Sequence, residues 1–479
     1  MASIRSNLFL SSLVLSFLFS LVTNWYTEIS IFLLVVTIFS ILDKLGKGLV
    51  LRELVVLHTI FICLIMPSVG YNVYNYDNYL ARIFYRFMQV PEDVYFGFTL
   101  PAVCAFSIAM CFPVTKNKQV LDEGNSFKKL LDNVMKELRV RVSRGITIVV
   151  IGIISLFTIP FVPSELKFLV TLLFFSSFAG ILYLYYSPSF AAKNILLALF
   201  SMFIIALAIQ SGVFTVIVYM GITLFSFFFL GKKYALWKKI AVFIVGVFLL
   251  FITQNVKTSF RDVTWKGKEV DSKTELFVDL IIDKLNNFDK MVDLNGFFPV
   301  YMRTNQGYNI SVVMRRIPAQ QDFDGGNRLM TTAMSALVPR LLWPDKPKAG
   351  GVESMKYFTG YNIEGWSTNV SPLGEAYGSF GPKNGIFYMF CLGLFIRWVY
   401  KKVFLNTQKQ PLLVLWIPVL FYQITYCMET DSLQIFNSLL KGAFFLWLLY
   451  KMLPSWFGKI AKRANVQNRF RSQQLPAQS

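Results

Sequence analysis

The sequence predicts an all-α membrane protein that crosses the bilayer many times. The chain has 479 residues, of which 55% are hydrophobic and 16% aromatic, and its mean hydropathy is +0.53. This composition is too apolar for a soluble domain, and the chain is too long for a single membrane anchor. The second observation is a series of apolar windows, each long enough to cross a bilayer, separated by short polar connections.

Twelve of these windows are predicted to be transmembrane helices. Nine precede the longest polar stretch, at 4–23, 26–42, 51–69, 94–113, 145–164, 166–187, 193–211, 213–230 and 237–256. Three follow it, at 385–403, 411–428 and 433–453. The chain is therefore divided into nine helices at 1–256, a polar excursion at 257–384, three helices at 385–453 and a basic tail at 454–479. No small-residue cleavage site follows the first window, which is interpreted as a retained span.

The distribution of charge predicts the orientation in the membrane. The formal net charge is +20, but the excursion carries 16 Lys/Arg and 14 Asp/Glu, whereas the rest of the chain carries 31 and 13. The excess of basic over acidic residues lies in alternate loops. The loop at 116–144 contributes most, with eight basic residues. By the positive-inside rule, both termini are expected in the cytoplasm and the excursion outside the inner (plasma) membrane. The orientation of the protein in the membrane accounts for its excess of basic residues, so nucleic acid is not expected as a partner.

Motifs for metal or nucleotide chemistry are absent from the sequence. His58 is the single histidine, the five cysteines form no CxxC pair, and neither HExxH nor a Walker-type motif occurs. The sequence therefore predicts no metal ion and no cofactor. His58 is interpreted as a hydrogen-bonded structural residue, with a proton relay as the alternative.

Two amphipathic segments are predicted outside the spans. Residues 125–144 place five apolar side chains at helical spacing between basic residues, which favours a helix lying on the anionic inner leaflet. In the excursion, Ser272 and Glu275 have capping-box spacing before a second amphipathic helix. A further helix is predicted at 329–337, followed by ordered loops.

Three clusters of charged residues lie in parts of the excursion that are rich in proline, glycine or tryptophan. They contain Arg315, Arg316, Asp322, Asp324 and Arg328; Arg340, Asp345, Lys346 and Lys348; and Glu375 with Lys383. Guanidinium groups bind phosphate oxygens bidentately, and a nearby carboxylate can act as a general base toward a hydroxyl. Such clusters at a membrane face suit a lipid diphosphate. The alternative for each residue is a solvated charge or an ion pair.

These clusters resemble the Wzy-type oligosaccharide repeat-unit polymerases of bacterial O-antigen and capsule pathways. The resemblance is carried by MRRIP at 314–318, VPRLLWPDKP at 338–347 and GEAYGSFGPKNG at 374–385, together with twelve spans and a large external loop. It implies a GT-C-like bundle in which a hydroxyl of one undecaprenyl-diphosphate-linked oligosaccharide attacks the anomeric carbon of another glycan. The lipid diphosphate leaves, and no metal or nucleotide is consumed. Membrane lipids, a flippase and a chain-length regulator are the further partners that the resemblance implies.

The resemblance also assigns expected roles to individual residues. The catalytic residues are Arg340 and Glu375, the latter as a base or a sugar-orienting group. The diphosphate-binding residues are Arg315, Arg316, Arg328, Lys346 and Lys348, and the supporting residues are Arg261, Asp262 and Asp324. Three other functions remain open: an O-antigen ligase or another polyprenyl-dependent glycosyltransferase, a lipid-linked oligosaccharide flippase or transporter, and a membrane scaffold.

Overall fold

The computed structural model is built from helices and their connections. It describes residues 24–111, 124–265, 271–338, 342–348, 350–363 and 368–458, together with Val14, Leu15, Leu18 and Phe19. The structure is 80% helical, and no strand occurs in these described residues. The predicted all-α class is confirmed.

The helices follow one another with short connections. Up to the excursion they are α1 (Trp25–Lys44), α2 (Leu51–Ile60), α3 (Met66–Asn72), α4 (Tyr79–Ile83), α5 (Glu92–Cys111), α6 (Gly124–Arg139), α7 (Val142–Thr158), α8 (Ser164–Tyr186), α9 (Lys193–Ser211), α10 (Thr215–Phe229) and α11 (Leu236–Thr264). Then come α12 (Lys273–Asn286), α13 (Phe288–Val292), α14 (Leu294–Thr304), α15 (Gln306–Arg316), α16 (Asn327–Leu337), α17 (Val352–Thr359), α18 (Ser371–Thr407), α19 (Ile417–Phe421) and α20 (Ser432–Met452). Phe61–Ile65 is a π-helix, and the 3₁₀ segments are Ile159–Phe161, Pro411–Trp416, Ile424–Glu429 and Pro454–Phe457.

Nine helical segments of the described chain are long and apolar enough to cross a membrane. They are Trp25–Lys44, Leu51–Asn72, Glu92–Cys111, Val142–Phe161, Leu166–Tyr186, Lys193–Ser211, Leu236–Thr264, Pro411–Glu429 and Ser432–Met452. The protein is therefore a multi-pass helical membrane protein. The predicted number of twelve spans stays a prediction, because three of the windows are not among these nine segments. Most of 4–23 lies outside the described residues. The apolar part of α10 covers only Val218–Phe229, and 385–403 is part of the longer helix α18.

Small residues let α7 and α8 pack closely as a hairpin. A Cβ atom on Gly180 would lie 2.9 Å from the backbone nitrogen of Val149 and 3.0 Å from the carbonyl oxygen of Gly145. Gly152 approaches Ser177 in the same way. Since lipid tails are as apolar as the side chains, helices in a membrane associate largely through such close van der Waals packing.

Helix α6 corrects one expectation. Its apolar side chains are buried in the main hydrophobic core and do not face lipid. These side chains are Phe127, Leu130, Leu131, Val134 and Leu138. The helix packs against the 3₁₀ segment that begins at Pro411. The predicted location on the inner leaflet is therefore wrong for this apolar face, because the bundle itself covers it.

The excursion is a set of short helices packed on the bundle, as expected. The expectation of loops after 337 is wrong in part, because α17 and the first part of α18 are helical. Ser272 accepts a hydrogen bond from the backbone N–H of Glu275 at 3.2 Å, which confirms the predicted cap of α12. The predicted helix at 329–337 is confirmed as α16. Residues 306–314 of α15 are all buried. The loop before α5 packs on this region, where the hydroxyl of Tyr301 donates to the carbonyl of Arg86 at 3.0 Å.

Two irregular segments interrupt the helices at the centre of the bundle. The candidate span Pro411–Glu429 consists of two 3₁₀ segments flanking α19, and Tyr426 has non-helical angles of φ −122° and ψ 32°. The π-helix Phe61–Ile65 continues α2, which packs against the second of these 3₁₀ segments. Irregular backbone at membrane depth is tolerated where protein or a cavity covers it, and π-helical turns are frequent at functional sites.

We expect Gly180→Ala to destabilise the protein by about 1–3 kcal/mol, because the added methyl group would press on backbone atoms of α7. Gly246→Ala in α11 is the matched control, since nothing lies within 4 Å of a Cβ atom there. Its expected effect is neutral or stabilising by up to about 1 kcal/mol, through helix propensity. Thermal unfolding of both variants in the same detergent tests this, and equal changes in Tm would contradict the close packing of α7 and α8.

Candidate functional site

A cluster of charged side chains surrounds Glu429, at the end of the broken span Pro411–Glu429. The Oε1 atom of Glu429 lies 3.1 Å from Nε2 of His58, and its Oε2 atom accepts a hydrogen bond from Nη2 of Arg303 at 2.6 Å. Asn369 donates to the backbone carbonyl of Glu429 at 3.3 Å. The Glu429 side chain is only 12% exposed. An imidazole and a guanidinium group therefore replace most of the water around this carboxylate.

Two more cations from α11 join this Glu429 cluster. Lys257 is 9% exposed and interacts electrostatically with Arg303, Arg261 and Glu429. Its ammonium group has no hydrogen bond or ion pair with the described residues. Arg261 donates through Nε to the carbonyl of Gly212 at 2.8 Å. A largely buried ammonium whose charged neighbours are mostly cations is unfavourable, so this geometry suits an anionic ligand.

Tyr219 of α10 completes the Glu429 cluster. Its hydroxyl interacts electrostatically with the side chains of Glu429 and Arg303, and its ring stacks on that of Tyr426 with centroids 3.9 Å apart. The negative charge of Glu429 raises the pKa of Arg303 above its usual range. Arg303 therefore keeps its positive charge beside this carboxylate.

A second part of the candidate site is a cleft of about 390 Å³ between the loop before α5 and the excursion. We call it the aromatic cleft. Its lining residues are Phe84, Tyr85, Arg86, Tyr308, Asn309, Met355, Gly360, Tyr361, Asn362 and Ile363. The guanidinium carbon of Arg86 lies 4.6 Å from the centre of the Tyr308 ring. The volume and the mixture of aromatic and polar side chains are typical of a small-molecule site.

Arg315 and Arg316, predicted to bind diphosphate, lie at this cleft. Arg315 donates to the hydroxyl of Tyr85 at 2.8 Å, to Oε1 of Gln89 at 2.5 Å and to the hydroxyl of Tyr361 at 3.2 Å. Arg316 lies against Gly360, and its buried Nε has no hydrogen-bond partner among the described residues. The two arginines thus border the aromatic cleft, and their role in binding diphosphate stays a prediction.

Glu375, predicted to be catalytic, is 1% exposed in the N-terminal part of α18. Its Oε1 atom accepts from the hydroxyl of Ser354 at 3.1 Å, and its Oε2 atom from the backbone N–H of Ser432 at 2.8 Å. The neighbouring Asp431 accepts from the backbone N–H of Gly351 at 3.0 Å. Burial, with a smaller contribution from Asp431, raises the pKa of Glu375 to about 7. Glu375 joins two segments of the excursion to the start of α20, and its catalytic role stays a prediction.

Arg328 and Asp324 lie at the start of α16. Asp324 accepts from the backbone N–H groups of Gly326 at 2.9 Å and Arg328 at 3.1 Å, and from the hydroxyl of Tyr357 at 3.1 Å. The guanidinium of Arg328 donates to a carboxylate oxygen of Glu353 at 3.3 Å. Both residues therefore connect the start of α16 to α17.

Lys346 and Lys348 follow the C-terminus of α16. The ammonium of Lys346 donates to the carbonyls of Ser335, at 2.6 Å, and Val338, where a cation is favoured by the free carbonyls of the helix end. The backbone N–H of Lys348 donates to Glu353 at 3.1 Å, and its side chain is exposed.

The remaining predicted residues have different positions. Arg261 belongs to the Glu429 cluster, and Asp262 is exposed on α11. Arg340 lies outside the described residues. No group of three or more His, Cys, Asp and Glu side chains that could hold a metal ion occurs in the part of the chain that the structure describes. The predicted diphosphate-binding residues that are described do not form one site: Arg315 and Arg316 border the aromatic cleft, whereas Arg328, Lys346 and Lys348 lie around the two ends of α16.

Sequence reasoning did not identify Lys257, Arg303 or Glu429 as site residues, and it favoured a structural role for His58. One signal was available for Glu429: it is an acidic residue at the end of an apolar window, where ionisable groups are often functional. No sequence pattern connects it to Arg303 or Lys257, because these residues meet only in the folded bundle.

An apolar groove of about 350 Å³ lies between α16, α18 and α20. It is lined by Gly325, Gly326, Asn327, Leu329, Met330, Ala333, Phe380, Tyr388 and Phe436. The hydroxyl of Tyr388 is 2.8 Å from that of Ser432, three residues after Glu429 along the chain.

Long apolar helices around a buried cluster of ionisable groups define a multi-pass membrane protein with a candidate anion site. The chain belongs to the family described as Domain of unknown function (DUF8712), whose model matches residues 4–404. The match therefore includes His58, Lys257 and Arg303 but ends before Glu429. No curated protein and no solved structure matches the chain.

We expect the stability of the protein to decrease as the pH rises from about 4.5 to about 7. Glu375 holds its proton more tightly in the folded state than in the unfolded chain, where its pKa is near 4.5, so its contribution is complete below that pH and is lost above it. Glu375→Gln cannot titrate, so its Tm should vary less between pH 5 and pH 8. Asp322→Asn, at an exposed carboxylate, is the control and should keep the wild-type slope; identical slopes for all three proteins would contradict the inferred protonation.

Proposed function

We propose that the protein is a polyprenyl-diphosphate-dependent glycosyltransferase that polymerises lipid-linked oligosaccharide repeat units in surface polysaccharide synthesis. The observation that carries the proposal is the largely buried Lys257 beside Arg303 and Arg261, three cations that share the single carboxylate of Glu429. The proposed arrangement has the excursion on the outer side of the plasma membrane, twelve spans and a GT-C-like bundle, as the loop charges and the resemblance imply.

The proposed ligand of the Glu429 cluster is the diphosphate of the lipid carrier. Three cations face a single carboxylate in this cluster, which leaves an excess of positive charge. A diphosphate carries several acceptor oxygens and can satisfy Lys257 and the remaining N–H groups of Arg303 together. The same cations would stabilise the charge that develops on the leaving diphosphate during glycosyl transfer.

His58 is the proposed general base. If its Nε2–H donates to Glu429, the Nδ1 atom is unprotonated and can take a proton from an acceptor hydroxyl. Glu429 would then be a positioning residue that fixes the tautomer, as the carboxylate does in other His–carboxylate pairs. In the transfer, the hydroxyl oxygen bonds to the anomeric carbon, its proton moves to His58, and the bond to the diphosphate oxygen breaks with its electron pair.

The apolar groove beside Tyr388 is the proposed binding site of a polyprenyl chain. Its walls are mostly apolar, and it is connected through Ser432 to the segment that carries Glu429. A hydrocarbon chain gains about 0.8 kcal/mol for each CH₂ group that leaves water, so a groove of this kind suits the lipid part of the substrate.

A transporter of lipid-linked oligosaccharide is the second candidate function. The observation that favours it is the broken span Pro411–Glu429, because discontinuous helices with ionisable groups are typical of secondary transporters. The aromatic cleft between the loop before α5 and the excursion favours the transferase, since it provides a separate site for sugar rings.

We expect Lys257→Met to abolish polymer formation, or to reduce it at least tenfold, because it removes the buried charge proposed to bind the diphosphate. Lys257→Arg should retain part of the activity. Lys290→Met, at an exposed lysine of the same excursion, is the control and should leave it unchanged. The measurement is the ladder of surface polysaccharide in a deletion strain that produces each variant at the same level. A normal ladder with Lys257→Met would overturn the proposed diphosphate site.

We expect His58→Gln to slow polymerisation by about 10²- to 10⁴-fold, the usual contribution of a general base, while the affinity for the lipid-linked substrate changes little. Initial rates and saturation curves with purified protein in nanodiscs separate the two effects. A variant with a normal rate would exclude His58 as the base.

The class of reaction is tested by the glycans of the deletion strain. Loss of a polymerase leaves single repeat units on the final acceptor, and this is the expected result. Polymer that accumulates on the lipid carrier would indicate a ligase, and repeat units that stay on the cytoplasmic leaflet would indicate a transporter. Either of these outcomes contradicts the proposed polymerase.

A further inference from the structure

The aromatic cleft has an unusual balance of hydrogen-bonding groups. Its described lining residues include Arg86 and two asparagines but no aspartate or glutamate. Arg315 and Arg316 lie at its edge. The hydroxyl groups of a neutral sugar both donate and accept hydrogen bonds. The charged groups at this cleft only donate, so a ligand with acceptor oxygens suits them best.

Arg315 is held in position at the edge of the aromatic cleft. Three of its five N–H donors bind Tyr85, Gln89 and Tyr361, which leaves two for a ligand. A guanidinium fixed by three contacts loses little further freedom when it binds an anion. Tyr85 has a left-handed backbone with φ +51°, a conformation that is uncommon for residues other than glycine and concentrates at functional sites.

The aromatic side chains provide a surface for a ring. Tyr85 and Tyr361 are partly exposed, at 46% and 37%, and Tyr308 lies under Arg86. Rigid tyrosine side chains offer a large apolar face and a hydroxyl at little entropic cost, which matches the alternating apolar and polar faces of a sugar ring.

We propose that the aromatic cleft binds an acidic sugar, with the ring on the tyrosines and a carboxylate or phosphate substituent on Arg315. This inference rests on the proposed function, because it makes the cleft the site for one sugar of the repeat unit. It names the substrate as an oligosaccharide with an anionic residue. Arg315 is then a specificity-determining residue, and the Glu429 cluster binds a different part of the substrate.

The test is direct binding of soluble probes to the full-length protein in nanodiscs, by isothermal titration calorimetry. Trigalacturonate carries the carboxylates, and its methyl ester has the same rings without the charge. Galactose 6-phosphate and galactose form the matching pair for a phosphate. The acidic member of at least one pair should bind tenfold or more tightly than its neutral counterpart. Equal affinities within both pairs, or no binding by any probe, would overturn the proposal.

Three variants locate the binding site. Arg315→Gln should reduce the affinity for the acidic probe to that of its neutral counterpart, whereas Lys356→Gln, which removes an exposed charge from the neighbouring helix α17, should not. Lys257→Met should leave the binding of the acidic probe unchanged even though it stops polymerisation. Loss of acidic binding in Lys257→Met but not in Arg315→Gln would overturn the assignment to the cleft. Acidic binding in a protein that shows no polymerase activity would contradict only the proposed function.

Discussion

The burial of the Glu429 carboxylate is a constraint on which the surrounding structure depends. A carboxylate at the end of a membrane segment is stable only when its charge is matched, and here Arg303 supplies the matching charge while His58 lies within hydrogen-bond distance. These partners are 126 and 371 residues away along the chain. Their pairing therefore fixes the excursion and α2 against the last broken span. The Arg303 side chain is 43% exposed, so solvent screens part of this pairing on the side of the arginine.

A second set of buried carboxyl groups, Glu375 and Asp431, holds the adjoining backbone. Their oxygens accept from Ser354, from the backbone N–H of Ser432 and from the glycine turn that precedes α17. These hydrogen bonds attach α17 and α18 to the start of α20, directly after Glu429. A short turn connects Glu429 to the start of α20. The hydrogen bonds of Glu375 and Asp431 hold the chain after this turn, and the partners of Glu429 hold the chain before it.

Helix α15 separates the two parts of the candidate site. Arg303 precedes its first turn, and Arg315 and Arg316 form its last. Its 11 residues correspond to a length of about 16 Å at 1.5 Å per residue. Because nearly all of the helix is buried, its ends cannot move independently. A rigid spacing of this size fits the proposed substrate, in which a diphosphate and a sugar further along the glycan are bound at the same time.

The sequence by itself determined that the protein is an all-α, multi-pass membrane protein, because apolar windows and helix caps such as Ser272 are local signals. Arg315 and Arg316 were identified from their residue types, and they do border a cleft. Only the tertiary structure decided that Glu375 is enclosed, that α6 covers the bundle, and that His58, Lys257 and Arg303 meet at Glu429. The physical reason is that pairing of buried charges depends on which helices pack together, and that information is not contained in the spacing of residues along one segment.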